Sequence, residues 1–514
     1  MPQIVQAGSI NTAALVVPDL YVQIVPPQNY VINGVPTNRV GMVGTASWGP
    51  VNQAVTVGDG PAYARAFGPI QARRFDLGTP VAVAIQQGAS DFRCVRVTDG
   101  TDAAATGTIG TGITLTARYT GTRGNVVQAA VTAGSRVGTF RLSVGLPGQQ
   151  AEAFDNLAPT WAAMVAAVNA GANVLRGPSG LVVATLGSGG ATAVAPGTVT
   201  LTGGTDGATG VTSATVIGQD TATRTGMFSL RGQGCSLGVL ADLDDTTQWS
   251  VMAAFGYSEG IYFVVSGPSG DTIATAVAAK QAAGVDDYPL KVMLGDWIFW
   301  NDPVNQVVRV VPPTGFVAGR LANLSPEQSS LNKAIYGIVS TQRLGLPGAG
   351  GATTYSTAEL TQMGQAGVDV VTNPLPGGAY YGVRFGHNSS TDPTRSGDNY
   401  TRMTNFLAST VAAGMGRFIG RTITLRLFLD IRSTLLDFMG SLLGQGMLGL
   451  GFDGTLPFSV VADATNNPPA RTGLGYTQAD VQVRYLAINE KFIINLEGGT
   501  TVTVTRQTLP AGQR

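Results

Sequence analysis

Residues 79–97, TPVAVAIQQGASDFRCVRV, carry the reading that decides the fold. A Thr-Pro start opens a run of Val, Ala and Ile at helical spacing, Gly-Ala-Ser stops it, and DFRCVRV follows as a short apolar strand. A helix feeding a strand of this kind is half of an α/β unit. Working outward, RVGMVGTA at 39–46 reads as the preceding strand and PAYARAFG at 61–68 as a short helix, so residues 30–98 form an α/β segment. The same style resumes after about residue 210. There SLGVLADL, IYFVVSG and YPLKVMLGDW read as strands separated by helices such as DTIATAVAAKQAAG, and the Gly-rich loop LGLPGAGGATTY closes the region.

Between these halves the composition changes. Residues 101–210 are dominated by Gly, Ala, Thr and Val, with alternating strands at GITLTARYTG, NVVQAAVTAG and TFRLSVG and one helix starting near Thr160. This reads as an inserted β-rich module. Further on, ITLRLFLDIRSTLLDFMGSLL places Leu425, Phe428, Leu429, Leu435, Leu436, Met439 and Leu443 at spacings of three and four, the stripe of a helix packed on one face. The chain then returns to strands at DVQVRYLAIN, KFIINLEGG and TTVTVTRQ. Val and Thr alternate over residues 500–505 with no turn or partner after them, and residues 1–28 are likewise extended in character.

Composition narrows the function. The chain has 514 residues, enough for two to four domains of about 100–200 residues each. Charged residues are 12% where soluble domains carry about 25%, while apolar residues are 44%, a balance that suits a subunit burying its flanks in an assembly. Lys plus Arg and Asp plus Glu are both 31, so no net field steers the chain to nucleic acid or an anionic membrane. Cys94, Cys235 and the lone His387 cannot close a zinc site, and two buried thiols in a reducing compartment are expected. No apolar run reaches a membrane span and the start lacks a basic signal region, so synthesis in the cytoplasm is expected.

Three short matches to chemical motifs fail on context. GQGMLG at 444–449 follows a helix rather than a strand, so it reads as a Gly-rich helix stop and not a dinucleotide loop. GCSLG at 234–238 has Asp286 and His387 after it in hydrolase order, but Ser236 opens an apolar strand instead of standing at a strand-to-helix elbow. DLDD at 242–245 has Thr247 and Ala253 where a calcium loop needs Gly and Glu, and reads as a cap on the helix that follows. No catalytic, cofactor or metal residues are assigned.

Several blocks carry a family resemblance: DLYVQIV at 19–25, NGVPTNRVGMVGTASWGPVNQAVTVGDGPAYARAFG at 33–68, LTGGTDG at 201–207, VVPPTGFVAGRLA at 310–322, GQAGVDVV at 364–371, NYTRMTNFLASTVAAGMGRF at 399–418, and ATNNPPARTGLGYTQADVQVRYLAINEKFIINLEGG at 464–499. In order and spacing they resemble the contractile tail sheath proteins of bacteriophages and phage-like particles, with PPTGFVAGRLA the most specific element. SSLNKAIYGI and GVRFGHNSSTD depart from the family pattern.

The resemblance implies an α+β multidomain chain: an N-terminal arm at 1–28, a middle α/β domain at 29–100 and 211–360, an inserted β-rich outer domain at 101–210, an inner domain at 361–496 and a C-terminal arm at 497–514. It implies hexameric rings stacked around a tail tube, with contraction driving the tube through the host envelope for DNA delivery. The partners it implies are other copies of the chain, the tube protein, and baseplate and tail-terminator proteins, in a virion assembled in the host cytoplasm, with no cofactor, no direct nucleic-acid contact and no membrane insertion. The arms would donate β-strands to neighbouring subunits, through Leu20, Tyr21, Val22 and Ile24 at one end and Thr500, Val502 and Val504 at the other. A hydrolase using Ser236 and a non-contractile surface-layer or adhesive β protein are the alternatives from other classes, and locally paired or frayed ends the alternative for the arms.

Overall fold

The computed structural model describes residues 3–5, 21–23, 32–348 and 353–501, and it is a mixed α and β chain with several sheets. Near the start, β1 (Gln3–Val5) and β2 (Tyr21–Gln23) pair in parallel, Gln3 with Tyr21 and Ile4 with Val22. For Tyr21 and Val22 this is the local pairing named as the alternative for the arms, and Leu20 and Ile24 lie outside the described residues. Pairing of two strands satisfies one edge of each and leaves the other edge open among the described residues.

The central domain begins with β3 (Arg39–Gly44), β4 (Ala54–Val57), α1 (Gly60–Phe67), α2 (Gly78–Gln86) and β5 (Asp91–Arg96). Asp59 starts α1 by accepting the Ala62 amide proton at 2.6 Å. β4 is not legible in the sequence, being only four residues long; it forms antiparallel on the free edge of β5.

The chain then leaves this domain for the insertion: β6 (Thr106–Ile109), β7 (Ile113–Ala117), β8 (Gln128–Ala133), β9 (Phe140–Gly145), β10 (Glu152–Leu157), α3 (Trp161–Ala170), β11 (Val182–Leu186) and β12 (Gly197–Thr200). Two antiparallel sheets, in the orders β10-β9-β8-β12 and β11-β7-β6, enclose a core of their own built on Leu115, Leu142, Phe154, Trp161 and Met164. Thr160 caps α3 through the Ala163 amide, where the sequence placed its start. Trp48, from the central domain, is buried in this same core.

After a short helix α4 (Ser213–Ile217) the central sheet resumes with β13 (Leu237–Leu240), α5 (Trp249–Glu259), β14 (Tyr262–Ser266), α6 (Ile273–Ala283) and β15 (Leu290–Met293). The strand order is β15-β14-β13-β3-β5-β4, parallel throughout except for β4. Every residue of β13, β14 and β15 is buried, as a parallel sheet covered on both faces requires. Asp245 caps the turn leading into α5 by accepting the Thr247 amide, the capping role expected of this acidic run. Cys94 and Cys235 are both free and buried.

Next come β16 (Ile298–Asp302), β17 (Val307–Val311), α7 (Thr314–Ala322), β18 (Ile338–Thr341), α8 (Thr357–Ala366), β19 (Val371–Thr372) and β20 (Gly382–Val383). The helix α7 holds TGFVAGRLA and packs on α2. A Cβ at Gly319 would stand 2.5 Å from the Ala84 Cα and one at Gly315 2.6 Å from Val83 Cγ2, so both glycines permit the close approach of the two helices. Met363, Val368, Val370, Val371 and Val383 lie in the cores of the central domain, so packing does not change at residue 361, where the inner domain was expected to begin.

A separate core forms farther on, from α9 (Asp398–Met415), α10 (Leu425–Gly444), β21 (Phe458–Val461) and β22 (Asp480–Val483), while the short helix α11 (Pro469–Thr472) between the two strands buries no residue. It joins Met403, Phe406, Phe438 and Met439 to Ile32, so the segment before β3 packs on this end of the chain. On α10 the expected stripe holds for Phe428, Leu435 and Met439, but Leu425 and Leu429 are 72% and 51% exposed. The helix carries two apolar faces, and the one covered by α9 and β21 is the face of Leu427, Ile431, Leu435 and Phe438. Gly444 ends α10 as the helix-stop reading required.

Candidate assembly interface

A buried ionic cluster ties the C-terminal core to the central sheet. Lys291 on β15 is fully buried and donates to Asp369 at 2.7 Å, to Asp398 at 3.0 Å and to the His387 carbonyl at 2.7 Å. Asp398 opens α9 and also accepts from Tyr262 Oη at 2.6 Å and from the Ser330 hydroxyl. Asp369 accepts the amides of Val370, Phe385, Gly386 and His387 at 2.8–3.1 Å. Burial pulls the Lys291 ammonium down, but Asp369 and Asp398 outweigh it and hold the pKa above its ordinary value. Burial likewise pushes Asp398 up, and Lys291, Ser330 and Tyr262 bring it below the usual carboxylate value. Lys291 is thus paired with two buried carboxylates, which makes the cluster a joint between β14, β15 and α9.

Beyond that joint the chain exposes apolar surface. β21 and β22 form an antiparallel pair whose outer edges are both unpaired among the described residues. After β22, Asn399 holds the Leu486 carbonyl at 2.9 Å and Thr404 meets the Tyr485 hydroxyl at 3.1 Å. Residues 487–498 then run without regular structure, contrary to the strand expected at 491–499. Phe492, Ile493, Ile494 and Leu496 in that run are 71–91% exposed. Four such side chains make an exposed apolar run with no strand beside it among the described residues.

Of the residues assigned to the C-terminal arm, Thr500 sits exposed in a turn rather than at the start of a strand, and Val502 and Val504 lie outside the described residues. The exposed stretch at 492–496 was legible as apolar text, but not as unpaired text. Only its lack of a neighbour in space distinguishes it.

The hydrolase residues do not form a hydrogen-bonded triad. Ser236 donates to the Arg39 carbonyl at 3.1 Å, Asp286 accepts from Thr391, and His387 Nε2 lies 2.8 Å from Glu490 Oε1. Among the described residues, no group of three His, Cys, Asp or Glu side chains could hold a metal ion, and no helix is long and apolar enough to cross a membrane.

No protein-family model matches the chain, and no curated protein matches it. In three dimensions the chain is similar to a sheath tail protein from Desulfitobacterium hafniense, at 16% identity and a TM-score of 0.55, over 86% of this chain and 93% of that one. A sheath tail protein from Listeria innocua aligns at 16% identity and a TM-score of 0.58, over 84% and 90%. The contracted helical sheath of the anti-feeding prophage aligns at 9% identity and a TM-score of 0.55, over 94% and 99%. These likenesses span both the central and the C-terminal parts, and the chain has the fold of the contractile-tail and injection-system sheath proteins.

Proposed function

We propose that this chain is the structural subunit of a contractile sheath of a phage tail or phage-like particle. It polymerises as stacked hexameric rings around a tube, and its contraction drives the tube through a host envelope for DNA delivery. The observation that carries this reading is the extent of the likeness, 84–95% of this chain against 90–100% of the solved sheath subunits, rather than one shared domain. Those relatives include sheaths described in the contracted state and a baseplate assembly, which supports self-association and a baseplate partner here; the tube and tail-terminator partners are part of the proposal. On this reading the protein is mechanical and not an enzyme, is assembled in the host cytoplasm and becomes part of the virion.

The open edges of β21 and β22 are the acceptor, and the C-terminal extension of another copy is the donor. A donated strand brings backbone hydrogen bonds worth a net ~0.5–1.5 kcal/mol each, modest singly but multiplied over every joint of a ring and a tail. The test compares chains ending after Glu497 and after Leu486 with the full protein, by sedimentation, negative-stain microscopy and circular dichroism. If 492–496 is the donor, the first truncation retains tubes and the second loses them with its dichroism unchanged. If residues 500–505 are the donor, both lose them. Full-length protein that stays monodisperse under all assembly conditions sinks the sheath reading.

A further inference from the structure

The C-terminal extension is tied to the body by a single hydrogen bond among the described residues. Beyond Leu486, the hydrogen bond between His387 Nε2 and Glu490 Oε1, at 2.8 Å, is the only one the described residues of the extension make. Cavities of about 780 Å³ and about 510 Å³ lie against this contact, and Glu490 and Lys491 line both.

The two halves of the contact differ in anchorage. His387 belongs to the buried joint: its amide donates to Asp369 at 3.1 Å and its carbonyl accepts from Lys291 at 2.7 Å. Glu490 stands on an exposed run without regular structure. An imidazole on an anchored backbone and a carboxylate on a run without regular structure, joined beside these cavities, form a catch whose strength depends on charge.

We propose that His387 and Glu490 are a pH-sensitive latch, which holds the root of the C-terminal extension to its own subunit under mildly acidic conditions and releases it as the medium becomes alkaline. The groups facing His387 are Glu490 and Lys491 on the extension, Asp369 before β19, Lys291 on β15, and Arg384, which lines the same cavity. Burial lowers the imidazole, but the Glu490 hydrogen bond and the carboxylates of Asp369 and Glu490 outweigh it and Lys291, so His387 titrates above its ordinary 6.5. Its hydrogen bond to His387 holds Glu490 below its ordinary 4.5. A raised histidine gives stabilisation that is complete below 6.5 and lost as pH climbs through the raised value, so the latch closes between the two titrations. Its consequence for assembly, freeing the donor arm, rests on the sheath reading; the latch itself does not.

The experiment uses the unassembled full-length chain, so its failure is separate from failure to form tubes. His387 is the only histidine in the sequence, so selective isotope labelling of histidine gives one imidazole to titrate by NMR. Its midpoint is expected above 6.5 and falls in Glu490→Gln. In parallel, tryptic cleavage after Lys491 at one fixed pH is expected to be severalfold faster in Glu490→Gln and in His387→Gln than in the parent. An imidazole midpoint at or below 6.5 that ignores Glu490→Gln overturns the proposal, as does equal cleavage of all three proteins.

Discussion

Trp48 of the central domain stands edge-on to Tyr119 of the insertion, ring centroids 5.4 Å apart and planes at 89°. Beside it, Arg96 at the end of β5 donates to the carbonyls of Gly49, Thr120 and Asp206, the last two of which belong to the insertion. The module is therefore seated on the central domain, not merely strung from it. Removing residues 101–210 uncovers a buried indole and strips acceptors from a buried guanidinium, at a cost on the scale of Trp→Ala in a core, about 3–5 kcal/mol. A plain deletion is expected to melt well below the full chain in calorimetry. The same deletion carrying Trp48→Ser and Arg96→Gln recovers most of that loss and still forms tubes. A plain deletion that melts like the parent contradicts the seating.

The joint at Lys291 predicts an asymmetric mutational response. Lys291→Met leaves two buried carboxylates facing each other and is expected to destabilise by about 3–5 kcal/mol, whereas the triple change with Asp369→Asn and Asp398→Asn regains most of it. In pH terms, Asp398 is lowered, so its contribution is present above 3.8 and disappears as acid takes the pH through its lower folded value. Lys291 is raised, so its contribution is present below 10.5 and disappears in stronger alkali. Denaturant melts across pH read both flanks, and a triple variant no more stable than Lys291→Met argues against charge as the cause.

Asp76 and Asp242 behave in the opposite sense. Burial lifts Asp76 from 3.8 to about 7, against its hydrogen bonds from Thr79 and Gln71, and lifts Asp242 to about 6. The folded chain thus binds protons that the unfolded chain has released between pH 4 and pH 7, and stability falls as pH rises across that window, on the order of a few kcal/mol. Asp76→Asn is expected to flatten much of this slope. Unchanged pH dependence in that variant would falsify the buried-carboxylate account.

Proline separates the two candidate donor segments. Ile493→Pro removes a ladder donor from the exposed run 492–496 and is expected to abolish tubes while leaving the melting temperature within a degree or two, since that run adds little to its own subunit's core. Val502→Pro tests the segment favoured by Val/Thr alternation. Tubes lost only with Val502→Pro reassign the donor to residues 500–505.

Ser236→Ala removes one hydrogen bond, to the Arg39 carbonyl, and is expected to cost about 1 kcal/mol with assembly intact. A hydrolytic activity in the parent that vanishes with this change reverses the mechanical reading.

The sequence by itself determined what is local or compositional. Helix α2 and strand β5 follow from the Thr-Pro start, the Gly-Ala-Ser break and the apolar run after it. The insertion was visible as a change of composition, and the caps at Thr160 and Asp245 as single residues before helical text. Only the tertiary structure decided the rest, because each remaining feature joins residues that carry no signal for one another. Lys291, Asp369 and Asp398 meet only when β15 and the start of α9 are packed together. Periodicity showed that α10 is amphipathic, yet the helix has apolar residues on two sides, and the contacts of α9 and β21 chose which side is covered. Alternating Val and Thr announced a strand at the very end of the chain. Whether any segment is unpaired depends on what lies beside it, and that property put Phe492, Ile493, Ile494 and Leu496 in water while Thr500 turned away.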